Sequence, residues 1–502
     1  MTEELRTAGT PNIHQLSLVP IAGDPIDLTP LLIVCNIFED MFSPVLTGNI
    51  SILDNIGLFD KLPICGQEKI IFKISTWGYA SSNLVNYLHR TFDIVKITDV
   101  DQVNDYTKSF TLHFASPELR KSESIKISRG FTDVTLSNIV ASVMTETFDE
   151  GLGLEFESEE YKKEQVKQVK SPYLSDLDVE YWALKEDDGD STELFVEKTK
   201  YTEPAVSFPF MKPLNIISWL ATRAVRYSSG RNPETNSSAN FLFFENKRGY
   251  QFVSLDTLFE SKDFETTIFE YGAKKQNISP NPLDNTRINY PERITKLQIQ
   301  NCYDILSNLK NGLYASRLYS YDISTGQTQE FDFNYMEHFK TLETSEKTFE
   351  GYPDYPSILH NDSDLSQRFL ANRMFIVQSP SADKDCIVSV ETERKNANKA
   401  ESGPEEYIQR RISDFARLNN FRVIFEIAGN TKHKVGDCVY IDLKTWYEAG
   451  NLSVNKTIKE KPSKYYSGHY LITSIKHTIT KYSYGMTIEA AKDAYRTKIG
   501  KD

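Results

Sequence analysis

A chain of 502 residues with 57 Lys and Arg against 70 Asp and Glu carries a net charge of −13, which argues against a main task of gripping nucleic acid through a basic face. The length allows several domains, each with its own core, and 27 Tyr with 29 Phe favour sheets and interfaces over coiled coil. Cys35, Cys65, Cys302, Cys386 and Cys438 are odd in number and never form a C-x-x-C pair, which predicts reduced protein without a zinc site. The polar N-terminus, MTEELRTAGTPN, has no apolar h-region, and no apolar run approaches the ~20 residues of a membrane span, so neither a signal peptide nor membrane insertion is expected.

The first domain, residues 1–120, reads as β. Asn49-Ile50-Ser51-Ile52 and Ile70-Ile71-Phe72-Lys73-Ile74 alternate with the period of half-buried strands. Between them Asp54, Asn55, Gly57, Asp60, Pro63 and Gly66 form a turn-rich link, where proline fixes φ and glycine permits positive φ. Ile94, Val95 and Ile97 begin another strand, and Tyr106-Thr107-Lys108 is the predicted turn before Phe110, Leu112 and Phe114. His113 is read as a polar-face residue of that last strand.

The period changes in residues 121–260, an α+β domain. Leu136, Ile139, Val140 and Val143 predict a helix with Asp133 as N-cap. A second helix starts at Pro213, with Ile216, Ile217, Leu220, Ala224 and Val225 on one side. Phe241–Phe244 and Tyr250–Val253 predict a hairpin. Residues 155–204 are charged and weakly periodic, a predicted insertion. Its acidic knot, Glu186-Asp187-Asp188-Gly189-Asp190, lacks the layout of a calcium loop and reads as a solvated turn.

Residues 261–333 begin a second β domain, in which Ile294–Ile299 alternates and Gly312-Leu313-Tyr314-Ala315-Ser316 leads to Tyr321-Asp322. Residues 334–403 are polar and irregular, a predicted inserted domain. Residues 404–502 complete the second β domain, with a helix after Pro404 (Ile408, Ile412, Phe415, Ala416) and strands from Phe421 to Ala494.

This last part repeats the logic of the first domain. Phe92-Asp93-Ile94, Ile97, Tyr106 and Phe110-Thr111-Leu112-His113-Phe114-Ala115 line up with Tyr470-Leu471-Ile472, Ile475, Tyr482 and Met486-Thr487-Ile488-Glu489-Ala490-Ala491. Gly66-Gln67-Glu68 before Ile70 is echoed by Gly436-Asp437 before Val439.

The string Ser43, Pro44, Gly48, Ile50, Ile52, Asp54, Gly57, Leu58, Leu62, Pro63, Ile64, Gly66, Gln67, Glu68 resembles the baseplate hub proteins of contractile-tailed bacteriophages. The likeness continues through Pro209, Phe210, Trp219, Leu220, Ala221, Arg223, Ala224 and Phe241–Glu245, and through Gly312, Tyr314, Ala315, Ser316 and Asp322. The resemblance implies a mainly β chain with α+β content: two similar tube-like antiparallel β-barrel domains, an α/β domain and an inserted irregular domain. It implies a homotrimer whose six barrels join a hexameric tail tube to a trimeric central spike, with baseplate wedge and tape-measure proteins as further partners. The expected place is the tail baseplate of a virion assembled in the host cytoplasm. Type VI secretion spikes resemble such a hub fused to further β modules. No glycine-rich β-helix repeats occur here, which predicts a separate spike polypeptide.

No P-loop, G-x-S-x-G, H-E-x-x-H or complete G-x-G-x-x-G occurs in the chain. His433, His469 and His477 follow no ligand spacing. The sequence therefore predicts a structural subunit with no catalytic, metal or cofactor residues and no sequence-specific nucleic-acid binding. Its candidate residues are structural: Gly48, Asp54, Pro63, Gly66, Glu68, Gly312, Asp322, Gly436 and Asp437. The alternative is a cell-wall-binding or hydrolytic tail protein that uses the α+β domain.

Overall fold

The computed structural model describes residues 9–61, 65–76, 87–146, 151–154, 179–183, 193–227, 238–259, 268–271, 293–301, 304–322, 326, 328–339, 371–377, 404–419, 421–443, 463 and 465–494. Pro63, the Glu186–Asp190 knot, Cys302 and Cys386 lie outside them.

Seven strands come from the first domain: β1 (Pro11–Val19), β2 (Ile26–Asp27), β3 (Leu32–Asp40), β4 (Thr47–Asp54), β5 (Lys69–Thr76), β6 (Tyr87–Asn104) and β7 (Thr107–Ala115). Alternation places Ile50 and Ile52 of β4 inward with Phe110, Leu112 and Phe114 of β7, all buried. The β6–β7 turn is tighter than the sequence predicts, since Thr107 and Lys108 already belong to β7 and Tyr106 alone stands clear, 90% exposed.

Four strands follow in the α/β region up to residue 211, namely β8 (Ile127–Thr135), β9 (Val179–Ala183), β10 (Glu193–Glu197) and β11 (Thr202–Met211). The hairpin comprises β12 (Phe241–Asn246) and β13 (Gly249–Ser254). Strands β12-β13-β10-β9 make one sheet and β8 pairs with β11. Helices Leu136–Thr145 and Pro213–Ala221 pack with them around Ile139, Val143, Ile217, Leu220 and Phe252. Two expectations are corrected here. The first helix is capped by Thr135, whose hydroxyl accepts from Asn138 N–H, because pairing with β11 holds Asp133 in strand β8. Within the charged 155–204 stretch, β10 is an inner strand with Leu194, Phe195 and Val196 buried, because it pairs in parallel with β13.

The remaining strands are β14 (Ile268–Tyr271), β15 (Lys296–Asn301), β16 (Ala315–Asp322), β17 (Thr328–Asn334), β18 (Ala371–Val377), β19 (Phe421–Ala428), β20 (Cys438–Leu443), β21 (Gly468–Ile479) and β22 (Tyr484–Lys492). Strands β17-β16-β18 form a small sheet covered by helix Pro404–Leu418. The range expected to be irregular thus contributes β18.

The duplication is visible as topology. The first copy runs β3-β4-β7-β6-β5-β1 and the second β15-β19-β22-β21-β20, with β14 beyond β20. All neighbours are antiparallel except β14, which lies parallel to β20 where β1 lies antiparallel to β5. Both long strands carry a bulge at the same place, between Ile94 and Lys96 opposite β7 and between Ile472 and Ser474 opposite β22. The copies share one sheet of 13 strands, joined where Ser474–Ile479 of β21 pairs with Cys35–Asp40 of β3.

Candidate assembly surface

Among the described residues, those singled out from the sequence lie apart, at turns, a helix end and strand positions. Asp54 folds the link after β4: one carboxylate oxygen accepts from Ile56 and Leu58 N–H at 3.1 and 2.9 Å, the other from Phe59 N–H at 2.9 Å. Partial burial raises its pKa, but these donors outweigh that and hold it below the usual carboxylate range. Glu68 likewise accepts from Cys65, Gly66 and Gln67 N–H; burial is the largest single influence and raises its pKa, but the hydrogen bonds from Cys65, Gly66 and its own N–H together outweigh it and lower the pKa. Its carbonyl receives Ile94 N–H at 3.1 Å, and the Asp437 carbonyl receives Ile472 N–H at 2.9 Å. Gly66 and Gly436 sit just before, with φ of 87° and 92°. The motif and its echo are therefore one turn built twice.

Gly48 is a packing position: a Cβ there would lie 2.4 Å from Phe114 ring carbons and 2.5 Å from the Asn36 carbonyl. Gly312 ends helix Ile305–Asn311 in the left-handed conformation, φ 78°. Asp322 is the last residue of β16.

The joint between the copies is dry and polar at once. Glu39 of β3 is buried; its carboxylate lies 3.3 Å from His477 Nε2 and accepts Val435 N–H at 3.2 Å. His477 Nδ1 meets the Tyr484 hydroxyl at 2.8 Å. Asn36 bridges the Asn49 side chain and the Thr478 hydroxyl. His433 is buried against Phe269, ring centroids 5.1 Å apart, and burial pushes its pKa down to about 3. His469 packs edge-on to Tyr440. The three histidines are thus dispersed, and among the described residues no group of three or more His, Cys, Asp or Glu is arranged to hold a metal ion.

A second set of buried charges ties the α/β region to both copies, and of its members the sequence singled out only Glu245, as the end of the Phe241–Glu245 motif. Glu245 of β12 accepts from Leu46 N–H at 2.9 Å and Ser116 Oγ at 2.6 Å in the first copy. Burial raises its pKa to about 7 despite Arg90. On the other side the Asn240 amide donates to Asp256 at 3.1 Å and to Asp414 of helix Pro404–Leu418 at 3.2 Å. Arg226 pairs with Glu197 at 3.0 Å, and Asp414 faces His338 at 3.2 Å. Burial lifts the Asp256 pKa to about 7, with Arg226 opposing. Arg411 of the same helix donates to the carbonyls of Ala221 at 3.0 Å and Phe241 at 2.7 Å. No residue spacing signals such contacts, because the partners lie from 16 to 199 positions apart without a common period and the charges look solvated in sequence.

Two strand edges carry exposed apolar groups. Val95, Val100 and Val103 of β6 are 52%, 46% and 58% exposed, and Ile299 of β15 is 40% exposed. The two hairpin tips present Tyr106 and Tyr482 at corresponding places, the latter 79% exposed. No helix among the described residues is long and apolar enough to cross a membrane.

No family model matches the chain. It is similar to the probable baseplate hub protein gp334 of Vibrio phage KVP40, with 20% identity over 462 residues, 91% of this chain and 89% of that protein. Among solved structures it overlaps the 43 kDa tail protein of prophage MuSo2 from Shewanella oneidensis, at 8% identity and TM-score 0.44, covering 95% of this chain and 98% of that one. It also overlaps the E. coli c3393 protein, a component of the type VI secretion system, at 8% identity and TM-score 0.35, covering 98% and 79%. The resemblance to baseplate hub proteins carried by Ser43 to Glu68 and by the later motifs thus extends along nearly the whole chain.

Proposed function

We propose that the protein is a structural hub subunit of a phage tail baseplate, working through interfaces and without chemistry of its own. Three chains form a ring in which each contributes two similar lobes, so that six lobes surround one axis. One face of the ring meets a hexameric tail tube and the other a trimeric central spike, with wedge and tape-measure proteins nearby. The lumen passes DNA, and if its wall carries part of the net charge of −13 per chain, repulsion of phosphate lets DNA slide without sticking.

The observation that supports this reading most directly is the strand order built twice in one chain, β3-β4-β7-β6-β5 and β15-β19-β22-β21-β20, with the bulge repeated. A duplicated lobe converts three-fold into approximate six-fold symmetry. Electron-microscope top views of the purified full-length protein test it. Hollow rings of three chains with six lobes are expected, alone or on adding the spike protein. A monomer that stays compact at high concentration and with spike present would overturn the reading.

A further inference from the structure

Each copy has one long strand whose two halves are paired differently. In β6, pairing with β5 stops at Asp93 and pairing with β7 starts there; in β21, pairing with β20 stops at Leu471 and pairing with β22 starts there. The far half of each long strand therefore has one neighbour from its own copy and one edge left over. In β21 that edge is filled by β3 of the other copy, Ser474–Ile479 against Cys35–Asp40. In β6 the corresponding edge, Lys96–Asn104, has no strand beside it among the described residues.

The strand that would fill it is also present. The ladders run Ile37–Gly48–Phe114 in the first copy and Ile299–Val423–Ala490 in the second, so β15 stands where β3 stands. Among the described residues the outer edge of β15 is unpaired. Side chains agree with the backbone. Ile37 is fully buried at its joint while its counterpart Ile299 is 40% exposed; Ile97, the counterpart of buried Ile475, is only partly buried, and Val100 and Val103 farther along the open half of β6 are 46% and 58% exposed. Uncovered apolar strand edges invite strand addition.

We propose that β15 of one chain adds antiparallel to the Lys96–Asn104 half of β6 in the next chain, repeating between chains the joint that β3 and β21 make within one. This rests on the ring reading above and names the surface that closes it. Each copy then offers one edge and accepts another. The contact is head-to-tail, and it closes into a ring if each step turns by a sixth of a circle. One short strand pair holds two chains weakly, but closure binds every chain at two joints.

Paired cysteines test the contact directly. Within the chain Asn36 faces Thr478; the counterpart of Asn36 is Gln298. An extra bulge between Thr98 and Asp101 makes the counterpart of Thr478 either Val100 or Asp101. In a Cys65→Ser background, Gln298→Cys is combined with Val100→Cys or with Asp101→Cys and mildly oxidised. One combination is expected to give a covalent three-chain species, lost on reduction and absent from single-cysteine controls. Asn36→Cys with Thr478→Cys, which links within one chain, checks the oxidation conditions. Ile299→Lys should raise the concentration for half-assembly at least tenfold without changing the circular dichroism of the monomer. Rings under the microscope without either cross-link, or ladders running past three chains, overturn the edge pairing and leave the hub reading standing. Absence of rings with spike present overturns both.

Discussion

Gly48 shows what a single position contributes. A methyl group there meets the Phe114 ring and the Asn36 carbonyl at about 2.4–2.5 Å; the ring could turn, but the carbonyl is part of the β3–β4 ladder and cannot yield. Gly48→Ala should therefore cost about 1–3 kcal/mol, measured as a lower denaturation midpoint with an unchanged m-value. His433 supplies a pH signature. Its pKa falls from 6.5 to about 3 through burial, so the native state binds fewer protons than the unfolded chain between those values. Its contribution is complete above pH 6.5 and lost as pH falls toward 3. His433→Phe, which keeps an aromatic ring against Phe269, should shrink the stability loss between pH 6.5 and 4.5 by about 2 kcal/mol. Chemical denaturation at both pH values measures this. At this scale the sequence was informative about turns, since the glycines and carboxylates of Gly66-Gln67-Glu68 and Gly436-Asp437 announce their geometry through composition. It was silent on the burial of Glu39, Glu245 and Asp414, which depends on distant chain segments.

Elements were legible where one period persists. The strand alternation of β4, β7, β19 and β22, and the helix from Pro404, stand where apolar spacing puts them, and the helix from Pro213 starts as expected but ends at Ala221, short of Ala224 and Val225. The exceptions have physical causes. β10 is short and surrounded by charge, so its three buried apolar residues, Leu194 to Val196, give no periodic signal. Asp133 is a good N-cap by type, yet the ladder to β11 runs on to Thr135 and moves the helix start with it. Docking of helix Pro404–Leu418 on the α/β region depends on Arg411, whose guanidinium serves the carbonyls of Ala221 and Phe241. Arg411→Ala strands those acceptors and should cost about 2–4 kcal/mol. Arg411→Lys should recover only part of that, because an ammonium loses the planar stacking of the guanidinium on the Phe415 ring, 4.5 Å from its centroid. Thermal unfolding of both variants separates the cases.

For the whole molecule, sequence repetition was the most informative signal, because matching turns and strands in the same order survive even where side chains differ. What repetition cannot convey is how the copies are joined, since the β3–β21 pairing brings together residues more than 400 positions apart. The copies also differ in one respect: the strand beyond β5 is antiparallel β1, and the strand beyond β20 is parallel β14. In the proposed ring, alternate lobes are therefore not interchangeable, and a rotation by one lobe is not a true symmetry. A six-fold tube is unchanged by a rotation of 60° and therefore meets only the shared parts of the lobes, whereas a three-fold spike on the same ring has two distinct settings 60° apart. The contrast between β1 and β14 is a mark by which the spike can tell those settings apart, so the hub fixes the rotational phase of the spike while leaving the tube none to choose.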